Sequence, residues 1–205
     1  DPSSISFNNV VALTFDLKKR LWLLMGDGST GTFDTHTFTF RQVQVQVQNS
    51  EWLKTHKKLQ TDDKGNLFYV CWGHGFATWD STRNIFSTAA NFIPIPLNWD
   101  ITDLVQEPGT SRYWIGLQSG GLALYNGTTR QLSYPGHNVE NEPGVDLFAK
   151  LGAPPSNLFI DSKKRLWFDT WGPAFPYVHC YDIRSQKTIL TNYDFVTELK
   201  AYNEV

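Results

Sequence analysis

The stretch Tyr113-Trp114-Ile115-Gly116, followed by Gly120-Gly121-Leu122 and then by Tyr125-Asn126, decides the fold because its pattern occurs four times in the chain. Leu21-Trp22, Leu67-Phe68 and Leu166-Trp167 hold the place of Tyr113-Trp114. The first three aromatics, at 22, 68 and 114, are spaced by 46 residues, and the fourth, at 167, follows after 53. Eleven residues beyond each of the first three comes an aromatic followed by Asp or Asn: Phe33-Asp34, Trp79-Asp80 and Tyr125-Asn126. The fourth copy supplies Tyr181-Asp182 after 14 residues. Between the anchors lie glycines: Gly26-Asp27-Gly28, Gly73-His74-Gly75, Gly120-Gly121 and Gly172-Pro173. A fixed period of this kind marks a repeat architecture, with units over about 1–48, 49–95, 96–150 and 151–205.

Working outward from the anchor, Asp16, Asp62 and Asp161 each stand six residues before it, ahead of a polar run such as Leu17-Lys18-Lys19-Arg20 or Ser162-Lys163-Lys164-Arg165. A carboxylate there can bond the backbone of a turn while the polar residues form its exposed tip, so a hairpin is expected. Copy three has Glu107-Pro108-Gly109-Thr110-Ser111-Arg112 instead, one residue longer and with explicit turn chemistry. Lys19 and Lys164 replace the glycine found at Gly65, which points to a slightly different turn in those copies. The inter-anchor glycines permit a tight turn into the next strand. Short strands such as Ile85-Phe86 and Gln131 to Tyr134 complete each copy, three or four strands in all.

Val43, Val45 and Val47 alternate with glutamines, as expected of a strand with one buried face and one solvated face. Glu51 to Leu59 and Glu142 to Leu151 are read as short helical segments, the second inside a long connection over about 135–155.

The composition suits a folded, strand-rich chain: 205 residues, 40% hydrophobic and 15% aromatic, with one Met. A net charge of −2 gives no electrostatic attraction to nucleic acid or to an anionic membrane, and no apolar run is long enough to span one. Cys71 and Cys180 are far apart, outside any C-x-x-C arrangement and at non-equivalent repeat positions, so two free, partly buried thiols are expected. The start at Asp1-Pro2, with neither initiator Met nor leader, reads as a piece of a larger protein.

Catalytic signatures are absent: no G-x-S-x-G, no H-E-x-x-H, no P-loop and no dinucleotide fingerprint. The five histidines form no i,i+2 or i,i+4 pair, and His36 and His179 are read as strand or turn residues. Asp62-Asp63 belongs to a turn rather than to a metal site. Neither a cofactor nor a metal is expected. Trp22, Trp114 and Trp167 are core candidates, since the anchor opens an apolar strand.

Units of this length with a four-stranded sheet each belong to β-propellers, so the expected fold is all-β with four blades. The pattern Asp-x-x-x-x-Leu-Trp, then Gly-Gly-Leu, then Tyr-Asn or Tyr-Asp resembles the two-component regulator propeller repeat. Asp161 to Trp167 and Tyr113 to Asn126 carry it best, and the resemblance extends from about Val10 to Asp182. It implies a segment of a larger, typically seven-bladed propeller in the periplasmic sensor region of Bacteroidetes hybrid two-component histidine kinases. The alternative architecture is a closed four-bladed ring. The implied function is non-catalytic sensing, commonly of an oligosaccharide, with signalling domains elsewhere in an inner-membrane parent protein. An interaction scaffold or homo-oligomer is the competing reading, and a propeller lyase or hydrolase a third.

In a propeller, ligands meet loops on one face, and the Gly-rich turns recur in every blade. Trp72 and His74, Gln118 and Ser119, and Trp171 occupy comparable places at those turns. Trp stacks on sugar rings while His and Gln give directional hydrogen bonds, so these residues are the ligand-binding candidates.

Overall fold

The computed structural model describes residues 9–96, 98–171 and 176–194, with backbone alone at 171, 176 and 191–194. The chain divides into two compact units, Asp1–Pro94 and Ile95–Val205. Each contains two antiparallel four-stranded meanders, the blade unit expected of the repeat.

In the first unit β1 (Val10–Phe15), β2 (Leu21–Met25), β3 (Thr30–Asp34) and β4 (Thr39–Gln46) form one meander. β5 (Lys57–Thr61), β6 (Leu67–Cys71), β7 (Gly75–Asp80) and β8 (Ile85–Ser87) form the next. Their last strands pair in parallel, Gln44 opposite Ile85 and Gln46 opposite Ser87, so the two meanders make one eight-stranded sheet folded on itself. The first strands also meet, through Thr14 Oγ1 and Thr61 Oγ1 at 2.9 Å. Between the two layers lies a core of Trp22, Leu24, Val43, Trp52, Leu59, Leu67, Tyr69, Cys71, Ala77 and Phe86. Val45 and Val47 pack against it from β4 and its extension, while Gln42, Gln44, Gln46 and Gln48 face solvent.

In the second unit β9 (Ile101–Gln106), β10 (Arg112–Leu117), β11 (Leu122–Asn126) and β12 (Gln131–Ser133) form the third meander. β13 (Pro155–Ile160), β14 (Arg165–Trp171), β15 (Pro176–Asp182) and β16 (Lys187–Asp194) form the fourth. β9 and β13 are joined by Thr102 Oγ1 donating to the Pro155 carbonyl and Leu158 N donating to Asp103 Oδ2 at 2.8 Å. The approach is so close that a Cβ on Gly116 would collide with Thr102 Oγ1 and the Pro155 carbonyl, which is why that position carries glycine. Trp114, Leu122, Leu124, Val145, Phe148, Leu158, Ile160, Leu166, Phe168, Tyr181 and Ile183 make the core.

The repeat landmarks each have a structural cause. Asp16 accepts from the backbone of Lys18 and Arg20, from Arg20 Nε at 2.6 Å and from Trp22 Nε1 at 3.0 Å. Asp161 repeats this with Lys163, Arg165 and Trp167, and Asp62 with Lys64 and Asn66, its anchor Phe68 lacking the ring N–H of a Trp. Burial alone would raise the Asp161 pKa; its bonds from Arg165, Trp167 and the turn amides outweigh that and bring it well below the usual carboxylate range. In copy three the carboxylate is Glu107, which takes Arg112 Nη1 at 3.1 Å, and Trp114 Nε1 is buried without a partner among the described residues. At the second landmark Asp34, Asp80, Asn126 and Asp182 accept two backbone amides each from the following turn. Four residues on, Phe38, Asn84, Arg130 and Gln186 all adopt positive φ, between 54° and 58°.

Several expectations need correction. Lys19 (φ 58°) and Lys164 (φ 63°) adopt the same left-handed conformation as Gly65 (φ 85°), with the same pair of backbone bonds across the hairpin, so the turn is one turn in all three copies. The Asp-centred bonds offset the left-handed cost of about 1–2 kcal/mol for a residue with a Cβ. The first helical segment is confined to a 3-10 turn over Ser50–Lys54, and Leu59 lies in β5; the second is α1 (Pro143–Leu147) alone. Trp22 and Trp114 are fully buried, whereas Trp167 is half-buried beneath the Arg165 guanidinium, 5.1 Å from its ring centre. Cys71 and Cys180 are buried free thiols.

Candidate functional site

The Gly-rich turns join the second and third strands of the first three meanders. At the β6–β7 turn Gly73 takes φ 74°, His74 N donates to Cys71 O at 3.1 Å, and Trp72 N to His56 O at 2.9 Å. The His74 ring lies parallel to the buried Trp52 ring, centroids 5.9 Å apart, and Trp72 is 36% exposed. Trp52 comes from the 3-10 turn before β5, capped by the Asn49 side chain. Beneath the turn, burial pushes the Cys71 thiol up to about 12 against the opposing Lys57 charge, which leaves it an inert packing group. At the β2–β3 turn the Gly28 carbonyl accepts from the Tyr69 hydroxyl at 2.8 Å, tying that turn to the following blade.

In the second unit the β10–β11 turn carries Gln118 and Ser119. Gln118 N donates to Asp100 O at 2.9 Å, Gly120 N to Leu117 O, and Leu117 N to Gly121 O. Ser119 is exposed; Gln118 is half-buried, with an Oε1 that finds no partner among the described residues. The side chain of Trp171 lies outside the described residues, as do residues 172–175. Trp72 and His74 thus share one turn, and Gln118 and Ser119 share the equivalent turn of the other unit.

Sequence reasoning missed three neighbours of the β10–β11 turn. Tyr134-Pro135-Gly136-His137 is a closed turn in which His137 N donates to Tyr134 O at 2.8 Å and Tyr134 N to His137 O at 3.1 Å. Pro135 at its second place and Gly136 at φ 83° are the residues that a type II turn requires. The turn sets the Tyr134 and His137 rings 4.9 Å apart and 32° from parallel, and Trp99 stands edge-on to Tyr134 at 4.8 Å. The Pro-Gly pair was the available signal.

The segment after that turn is firmly held. Glu140 accepts from Asn126 Nδ2 at 2.8 Å and Thr129 Oγ1 at 2.6 Å. Asn138 Nδ2 reaches Asp146 Oδ2 at 2.7 Å, and its Oδ1 takes Glu142 N at 3.0 Å. Glu142, buried at the start of α1, accepts from Arg112 Nη2 and from the Tyr181 hydroxyl, each at 2.5 Å. Burial, then the bond to Glu142, raises the Tyr181 pKa, so the phenol stays a donor. Among the described residues no group of three or more His, Cys, Asp or Glu could hold a metal ion.

The fold defined by these meanders is that of a β-propeller, and solved structures, a named β-propeller domain among them, superpose on nearly the whole chain. The extracellular domain of the hybrid two-component system BT4673 of B. thetaiotaomicron matches at 17% identity and TM-score 0.62, over 96% of this chain and 26% of that one. The extracellular domain of BT3049, a hybrid two-component system of the same organism, matches at 15% identity and TM-score 0.51, over 93% of this chain and 31% of that one. The β-propeller domain of Myceliophteria thermophila Cps50 (Swd1) matches at 14% identity and TM-score 0.53, over 92% of this chain and 56% of that one. The chain therefore spans about a quarter of the BT4673 domain. No family model and no curated protein matches the sequence.

Proposed function

We propose that the chain is a non-catalytic sensing segment of a bacterial two-component regulator, periplasmic in location, that binds an oligosaccharide and passes the signal to kinase domains outside it. The observation that carries this reading is the sharing of blade architecture with extracellular domains of hybrid two-component systems across more than nine-tenths of the chain. The repeat motif, Asp-x-x-x-x-Leu-Trp with its downstream Tyr-Asn or Tyr-Asp, supports the same family. The surface chemistry is compatible: Trp72 and His74 on one Gly-rich turn, Gln118 and Ser119 on another, supply ring faces and directional hydrogen bonds for a neutral, hydroxyl-rich ligand. Trp171 is retained as a candidate on its repeat position alone. The further blades and signalling domains of a larger parent are the natural partners of a segment of this size.

The test is a thermal-shift screen of the chain against plant, host and microbial oligosaccharides. A ligand at a hundred times its dissociation constant stabilises by about 2.7 kcal/mol. For a chain of this length that is a rise of roughly 5–10 °C in the melting midpoint. A shift of that order from one glycan class supports sensing; a cooperative melt that no glycan moves overturns it. A scaffold role is the second reading, favoured by an open apolar strip along β1: Val11, Leu13, Phe15 and the following Leu17 are 47%, 61%, 59% and 64% exposed.

A further inference from the structure

We propose that Trp99, Tyr134 and His137, together with Gln118 and Ser119 of the adjoining turn, form a sugar-ring platform at one end of the third meander. The proposal rests on the oligosaccharide reading and gives it a place on the molecule.

Three features carry it. The first is proximity of unlike chemistry. The β10–β11 turn is bonded to Asp100, next to Trp99, on one side. On the other side a Cβ on Gly121 would stand 3.1 Å from Pro135, within the turn that holds Tyr134 and His137. An aromatic cluster and a hydrogen-bonding turn are thereby set edge to edge.

The second is accessibility. Trp99 and Tyr134 are half-buried, and Ser119, Asp100 and His137 are exposed, so the cluster is anchored in the fold and reaches solvent at His137. A core aromatic would be closed on all sides, as Trp114 and Tyr113 are in the same meander. Tyr134 and His137, 32° from parallel and 4.9 Å apart, stack on one another with Trp99 edge-on to Tyr134, so the outward face is that of the exposed His137 ring. That shape suits the apolar C–H face of a pyranose, whose rim of hydroxyls then reaches the turn.

The third is rigidity matched with unused polar capacity. The Pro-Gly turn and the Asn138, Glu140 and Glu142 bonds fix the platform before any ligand arrives, which lowers the ordering cost of binding. Gln118 Oε1 is buried and accepts no hydrogen bond among the described residues, so an acceptor beside the platform is left unused. Trp72, His74 and Trp52 repeat the scheme of a ring pair beside a Gly-rich turn in the first unit, but there Trp52 is buried in the core.

The experiment measures binding of cellohexaose, xylohexaose, mannohexaose and maltohexaose, each as a separate probe, to the wild-type chain by calorimetry. The same titrations use His137→Ala, Ser119→Ala and Trp99→Phe. His137 and Ser119 are exposed, so those variants keep the wild-type melting midpoint. Each is expected to weaken binding of the active probe three- to tenfold. Quenching or enhancement of Trp emission by that probe is expected in the wild type and diminished in Trp99→Phe. A probe that binds the wild type and both alanine variants equally overturns the platform and leaves the sensing reading intact. Absence of binding by all four hexasaccharides overturns the platform, and the sensing reading falls with it only if the wider glycan screen also moves no melt.

Discussion

His179 sits directly across from Phe168 in the β14–β15 register, with no exposed surface, its ring stacked on Phe168 at 4.6 Å and its Nε2 3.0 Å from Thr170 Oγ1. Phe148 meets it edge-on at 6.1 Å. In such surroundings burial favours the neutral imidazole and pulls the pKa from 6.5 down to about 4. The unfolded chain then binds a proton that the folded chain refuses, so stability is complete above pH 6.5 and is lost as the pH falls from there towards 4. Melting midpoints measured across that window should decline in the wild type. The double variant His179→Phe/Thr170→Val, which removes the titrating ring without stranding the hydroxyl, should show a shallower decline. Asp16, Asp34, Asp80 and Asp182, all with lowered pKa values, add their own loss only further into acid, so it persists in both proteins. Histidine at a β-strand position was legible in the sequence; its enclosure by Phe148, more than thirty residues upstream, was not.

At the scale of elements, the connection between β12 and β13 is held by charge. Arg112 of β10 bridges Glu107 at 3.1 Å and Glu142 at 2.5 Å, and Tyr181 of β15 donates to the same Glu142. Glu142 is 3% exposed, so removing it takes a close charge partner from Arg112, whose side chain is 25% exposed, and the carboxylate acceptor from the Tyr181 hydroxyl. Glu142→Ala is therefore expected to cost about 3 kcal/mol in chemical denaturation. Tyr181→Phe should cost less, because it removes a donor rather than a charge. A Glu142→Ala cost below that of Tyr181→Phe would show that the ion pair contributes little. The hairpins, by contrast, were readable residue by residue, because an Asp and the amides it collects lie within six positions of each other. Only the inference drawn from Lys19 and Lys164 failed, since propensity for positive φ was weighed without the bonds to Asp16 and Asp161 that compensate it. Glu142, Arg112 and Tyr181 come from three separate elements, and nothing local announces their meeting. The same is true of Trp99 and Tyr134, which lie at opposite ends of one meander's sequence.

For the molecule as a whole, the repeat predicts where apolar surface ought to be covered. Leu59 of β5 is 4% exposed in the core, whereas Leu13, its counterpart 46 positions earlier in β1, is 61% exposed, with Phe15 and Leu17 beside it. β1 is also an edge of the eight-stranded sheet, so bare strand and apolar side chains coincide. The chain on its own should self-associate as concentration rises, and Leu13→Lys/Phe15→Lys should hold it monomeric in sedimentation velocity. A wild-type chain that sediments as a monomer at every concentration would show that the strip is tolerated. Period, blade length and strand number were all visible in the sequence because each depends on signals that recur. The parallel seam of β4 with β8 was not, since Val45 and Phe86 carry no mark of being partners.

That seam has a consequence for the order in which the first unit assembles. Antiparallel neighbours such as Leu23 and Gly31 lie eight residues apart, and their hairpins can close as soon as both strands exist. Gln44 and Ile85 are 41 positions apart, and three strands must be in place before they can meet. Closing the longer loop costs more entropy, so the seam is the late event, and the sheet passes through a stage at which it hangs open like an unlatched book. Amide protons of the hairpins should then gain protection early in refolding and those of the β4–β8 ladder last.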